Sequence, residues 1–132
     1  MVDTKQLIEK VIDALIKAAN RDNELIEFSK DITKGETRIA YFQIVDLDKK
    51  YWIGFDGQHI VKIADGSNIK PTTIFRLTSD TLLAIILNKI EPIDAIYLGF
   101  IEIDGDYWMR DLALFEKGLE KFKDRYFKMF KV

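Results

Sequence analysis

The apolar residues of this 132-residue chain change their period several times, and each change marks a change of backbone. Leu7, Ile8, Val11, Ile12, Leu15, Ala18 and Ala19 recur at spacings of three and four, which predicts a helix with one apolar side. Asp3 with Gln6 makes a capping box at its start, and Asn20 to Asn23 ends it. Glu24 to Ser29 adds a helical turn or two. From Glu36 the period falls to two, and three strand-like runs follow: Arg38 to Leu47, Tyr51 to Phe55, and His59 to Ala64. Asp56-Gly57 joins the second and third as a hairpin turn in which both central residues accept positive φ. After a further turn, Asp65 to Asn68, Lys70-Pro71 introduces a fourth strand, Thr72 to Thr78, with proline where no ladder N–H is required.

Ser79-Asp80 marks a helix start, with a hydroxyl cap and a carboxylate where the helix dipole favours it. Leu82 to Leu87 is too apolar to have a watery face, so this helix has to lie between protein on most sides or border a pocket. Pro92 at a first helical position opens another short helix, Ile93 to Leu98, which Gly99 closes. A fifth strand, Phe100 to Ile103, precedes Asp104-Gly105-Asp106. The chain then continues as a long amphipathic helix, with Leu112, Phe115, Leu119, Phe122, Tyr126 and Phe130 opposite Lys117, Lys121, Asp124 and Lys128. This order predicts an α+β fold, a five-stranded, mainly antiparallel sheet covered on one face by helices, with residues 1–132 as a single domain.

The residues carry few signs of catalysis. Twenty basic against 22 acidic residues give a net charge of -2, so nothing pulls the chain in bulk toward nucleic acid. Without cysteine there is no disulfide, thiolate metal site or Cys nucleophile. His59 stands beside a turn with no nucleophile or orienting carboxylate marked next to it, and is expected to be solvated. Ser29, Ser67 and Ser79 do not sit in a nucleophile elbow, and no glycine-rich phosphate loop is present. Asp46/Asp48 and Asp104/Asp106 could hold a divalent cation in principle, but each pair lies at a strand end, where Asp forms turns, and neither extends into a calcium loop. No catalytic residue, metal or cofactor is expected.

Lys121, Lys123, Arg125, Lys128 and Lys131 complement the dipole of the last helix and solvate its outer face; transient contact with an acidic membrane or an acyl-CoA phosphate is the alternative. The longest apolar runs, Leu82 to Leu87 and Ala95 to Ile101, fall far short of the ~20 residues needed to span a bilayer. No targeting pattern opens or closes the chain, so a soluble, cytoplasmic protein is expected, as a monomer or homodimer.

What remains is apolar. Nine of the sixteen aromatic residues, Tyr97, Phe100, Tyr107, Trp108, Phe115, Phe122, Tyr126, Phe127 and Phe130, fall in the last 36 positions. Such a stripe at helical spacing is usually core. Here the apolar Leu82 helix, the Pro92 helix and the Ile101/Ile103 strand would converge on one sheet face, where overlying helices leave a slot suited to a lipid chain.

The stretch Lys70-Pro71-Thr72-Thr73-Ile74-Phe75-Arg76-Leu77-Thr78-Ser79-Asp80 resembles the Lys-Pro, alternating strand and Ser-Asp-capped helix of the sterol carrier protein family, the nonspecific lipid-transfer or sterol-binding domain. It continues without a gap through Leu83-Ala84-Ile85, Lys89-Ile90-Glu91-Pro92, Ala95-Ile96-Tyr97, Gly99 and Ile101 to Asp106, and Phe42-Gln43-Ile44 and Tyr51 to Phe55 look like the family's first two strands. Asn88 replaces the family's usual glycine and, like it, tolerates a left-handed backbone. Arg76 replaces a small polar residue on the strand face expected to meet solvent.

The resemblance implies an apolar tunnel between sheet and helices that holds sterols, fatty acids, fatty acyl-CoA or phospholipid tails. Its inward strand residues would be Phe42, Ile44, Ile53, Phe55, Phe75, Leu77, Ile101 and Ile103. Its helical walls would be Leu82, Leu83, Ile86, Ile90, Ile96 and Tyr97, closed by Leu112, Phe115, Leu119 and Phe122. An aspartate at Ile86 would then abolish binding. The function expected is non-catalytic carriage of a lipid or acyl-chain ligand. The alternative is a dimerisation or protein-interaction module with a filled core, burying Phe127, Met129 and Phe130 against a partner; a small steroid-isomerase-like enzyme would need a buried acid.

Overall fold

A computed structural model describes residues 3–63, 66, 68–106 and 108–126, with side chains as far as 123 in the last helix. Helix α1 (Thr4–Asn20) starts from Asp3, whose carboxylate accepts the Lys5 N–H at 3.0 Å. Helix α2 (Asn23–Thr33) is longer than the sequence pattern suggests, 11 residues capped by Asp22. Its continuation is hidden because Ser29 and Thr33 occupy the buried stripe with Leu25. Their hydroxyls donate to the carbonyls one turn back, Leu25 at 2.8 Å and Ser29 at 2.7 Å, so two polar residues fill apolar places without an unmet hydrogen bond.

Five strands follow the expected order with ends shifted by up to three residues, β2 starting two residues earlier than expected: β1 (Arg38–Ile44), β2 (Lys49–Phe55), β3 (Ile60–Ile63), β4 (Thr73–Leu77) and β5 (Ile101–Asp104). They lie in the order β3-β2-β1-β4-β5, antiparallel except where β1 meets β4. The β2–β3 turn differs from a two-residue hairpin. Only Gly57 takes positive φ (+105°), and Asp56 acts through its side chain, accepting from the Gln58 and His59 N–H groups at 2.9 and 2.8 Å.

Helix α3 (Ser79–Ile86) is capped by Thr78, one residue before the serine the sequence suggests, because Thr78 Oγ1 accepts the Thr81 N–H while Ser79 donates to Asp46. It buries Leu82, Ile85 and Ile86 but ends before Leu87, which is 55% exposed, so the run does meet water. Asn88 takes the left-handed turn at φ +61°. Helix α4 (Pro92–Tyr97) carries Pro92 in its first turn, and α5 (Trp108–Tyr126) is the long final helix. Tyr107, Phe127, Lys128, Met129, Phe130 and Lys131 lie outside the described residues.

One core joins the inner sheet face, Ala40, Ile44, Tyr51, Phe75, Leu77 and Ile101, to Ile8 and Ile12 of α1, Leu82 and Ile85 of α3, Ala95 of α4, and Leu112, Leu119 and Phe122 of α5. On the outer face Tyr41 and Trp52 pack at 5.1 Å between ring centroids, and Gly66 lies against the Trp52 ring. Arg76 falls on this outer face, as expected, opposite Gln43 and Glu102.

Gly54 marks the closest approach of β1 and β2: a Cβ there would stand 1.9 Å from the Arg38 carbonyl oxygen. Backbone cannot yield as a side chain does, so Gly54→Ala is expected to lower unfolding stability in urea by about 3 kcal/mol. An unchanged midpoint would show that the two strands part without cost.

Candidate functional site

Facing the inner side of β1 and β2, beneath α1, α2 and α5, is a cavity of about 120 Å³. It exists because small residues meet there. Ala19 of α1, Ala40 of β1, Gly54 of β2 and Gly118 of α5 all border it, and a Cβ added at Gly118 meets no atom within 4 Å. Larger side chains close its flanks: Ile12, Leu15 and Ile16 from α1, Leu25 from α2, Leu114 from α5, and Ile60 from β3.

Of the residues expected to line a tunnel, Phe42, Ile44, Ile53, Phe55, Leu82, Phe115 and Leu119 border this cavity. Phe75, Leu77, Ile101, Ile103, Leu83, Ile86, Ile96, Leu112 and Phe122 do not; they belong to the core or pack against it. Phe75 stacks on Phe42 with centroids 4.8 Å apart and meets Phe115 at 6.4 Å, so these rings fill the space on the β4 side. Beyond them Phe75, Leu77, Ile85 and Ala95 are almost wholly buried. Ile90 borders a shallow surface hollow, and Tyr97 is 83% exposed, because α4 turns Pro92 and Ala95 inward and leaves Tyr97 outside. The space therefore opens toward α1 and α2 rather than toward α3, α4 and β5.

Two charged residues border the cavity, Arg38 and Asp111, and sequence reasoning missed both. The signal was present for Arg38, which alternates in phase with the inward Ala40, Phe42 and Ile44 of β1. The pair forms a fork: Arg38 Nε donates to Asp111 Oδ1 at 3.0 Å and Nη2 to Oδ2 at 2.9 Å. Thr72 Oγ1 lies 2.9 Å from Oδ2 and 3.0 Å from the Ile39 carbonyl oxygen, so its one proton is shared between them, and the Thr73 hydroxyl donates to Oδ2. Both charged side chains are under one-tenth exposed.

Elsewhere the acidic pairs serve as turns. The Asp46 carboxylate accepts from the Ser79 hydroxyl and, at 2.8 Å, from the Ser79 N–H, tying the end of β1 to the start of α3. Asp48 takes the left-handed backbone at φ +50° between β1 and β2. Among the described residues no cluster of His, Asp or Glu is arranged to hold a metal ion, and His59 is exposed.

With the cavity placed, the fold can be compared with known ones. No family model matches the sequence, and no curated protein matches it. Solved structures do match, and several of them are sterol carrier protein 2 domains. A UbiJ-SCP2 ubiquinone synthesis protein is similar with a TM-score of 0.65 and 13% identity, over 91% of this chain and 99% of its own. Sterol carrier protein 2 from Yarrowia lipolytica, in its apo form, gives 0.57 at 13% identity over 87% and 91%. The sterol carrier protein domain 2 of Helicoverpa armigera gives 0.54 at 18% identity over 84% and 87%. The chain has the sterol carrier protein 2 fold, the fold that the run from Lys70 to Asp106 implies.

Two outcomes follow from the polar groups. Removing one partner of a buried pair strands the other charge, so Asp111→Ala should cost about 3–5 kcal/mol in urea unfolding, while Arg38→Met with Asp111→Leu should cost far less. Comparable losses would mean that no stranded charge is at issue. The Ser79 hydroxyl holds the Asp46 carboxyl below its ordinary value of 3.8. A lowered folded-state pKa gives stability that is present above the ordinary value and lost as pH falls through the folded one. Asp46→Asn should therefore flatten the acid limb of the stability curve; an unchanged limb would place the acid sensitivity elsewhere.

Proposed function

We propose that the protein binds and carries a lipid, a fatty acid, fatty acyl-CoA or sterol-like molecule, in the cavity between α1, α2, α5 and the sheet, without chemical change. The observation that carries this reading is the apolar cavity itself, walled by aliphatic and phenylalanine side chains and kept open by Ala19, Ala40 and Gly118. The fold it shares with sterol carrier protein 2 domains supports the reading. So does the composition of the wall: among the described residues its charged groups, Arg38 and Asp111, neutralise each other, and neither a nucleophile nor a histidine borders it.

Size sets a condition on this function. A cavity of about 120 Å³ is benzene-sized, below the roughly 300 Å³ at which ligand sites begin. A long chain enters only if the walls part, and α2 meets α5 partly through surface contacts. Lys121 of α5 pairs with the exposed Glu24, and Lys117 lies 5.7 Å from the centroid of the Phe28 ring. Such contacts are screened by salt and easily exchanged for water. Among the described residues no helix is long and apolar enough to cross a membrane.

Ile86 is buried core away from the cavity, so an aspartate there would unfold the protein rather than report on binding. Gly118 is the better probe. Delipidated protein should take up a fluorescent fatty acid at micromolar concentration, and Gly118→Leu should weaken uptake at least tenfold while keeping the melting temperature. Gly118→Ala should raise stability by about 0.5–1 kcal/mol, since glycine is a poor helix former. If the wild type takes up no probe, carriage is wrong; a tight dimer in light scattering would then favour the interaction module.

A further inference from the structure

We propose that the ligand carries a hydroxyl head and enters head first, the hydroxyl donating to Asp111 Oδ1 and the tail lying along the apolar wall. This deepens the carrier reading and rests on it. Three observations lead there. First, Arg38 and Asp111 are, among the described residues, the only charged ones on the cavity wall, so a polar head inside the cavity meets them. Second, the fork leaves no net charge at that end. A carboxylate or phosphate placed there would lose its water and meet the Asp111 anion beside an Arg38 cation that is already neutralised.

Third, the carboxylate is unevenly occupied. Oδ2 accepts from Arg38 Nη2 and Thr73 and shares the Thr72 proton with the Ile39 carbonyl, whereas Oδ1 accepts, among the described residues, from Arg38 Nε alone. A carboxylate oxygen has two lone pairs, so Oδ1 takes one more donor. A hydroxyl supplies that donor; an ester, a ketone or an ionised carboxylate does not. Along β1 the wall continues from Arg38 through Ala40 and Phe42 to Ile44, about 20 Å at the rise of a strand, and beyond Arg38 all of it is apolar.

The test uses three probes with one tail: cis-parinaric acid, its methyl ester and the alcohol made by reducing its carboxyl group. At neutral pH the alcohol is expected to bind delipidated protein at least tenfold more tightly than the ester or the acid. Asp111→Asn leaves Arg38 without its counter-ion, and should reverse the order of alcohol and acid. If that variant does not fold, Arg38→Met with Asp111→Leu should weaken alcohol binding about tenfold and leave the ester unchanged. Three equal affinities would keep lipid carriage and overturn the head-first placement, as would tightest binding of the acid. No binding of any probe would overturn carriage, and this inference with it.

Discussion

Four donors from two stretches of chain converge on the carboxylate of Asp111, which belongs to a third. Arg38 brings β1, Thr72 and Thr73 bring the entry to β4, and Asp111 brings the first turn of α5. Leu112, Phe115, Leu119 and Phe122 then meet the sheet in a fixed rotational phase. A buried carboxylate tolerates little displacement from its partners, because each lost hydrogen bond leaves a charge less compensated. The pair therefore sets where α5 lies over β1, and with it the gap that Gly118 and Ala40 leave open.

The elements were largely legible in the sequence. Periods of three to four and of two, with capping and turn residues at the joints, place all five strands and four of the helices within a few residues. The departures have separate causes. Helix α2 runs on because Ser29 and Thr33 satisfy their own hydroxyls and pass for apolar residues. Leu87 lies past the end of α3 because the helix starts one residue early and stops where Asn88 turns left-handed.

The site was legible only in part, for a geometric reason. Period identifies which side chains face inward, and Phe42, Ile44, Ile53 and Phe55 do. It does not say where inward-facing groups leave space. Phe75, Phe42 and Phe115 consume the room between them, so the half of the sheet under α3 and α4 packs solid although its sequence is the more apolar. The space survives where Ala19, Ala40 and Gly118 oppose one another, three small residues from three different elements. Nothing in their linear order marks them as neighbours. Arg38 and Asp111, 73 residues apart, stayed hidden likewise; a charge in an inward phase becomes readable only when its partner is known.

That separation also governs the order in which the protein can be made. During synthesis β1 emerges early, and β2 can pair with it at once through a short turn. Its other neighbour, β4, is parallel and arrives only after β3 and a long connection. Asp111 comes later still. Until α5 has left the ribosome, Arg38 has no carboxylate to meet and the inner sheet face has lost one of its covering helices. Between the synthesis of Arg38 and that of Asp111, 73 residues later, the nascent chain thus carries an uncovered apolar face and an unneutralised guanidinium, a state in which chaperone capture would compete with folding.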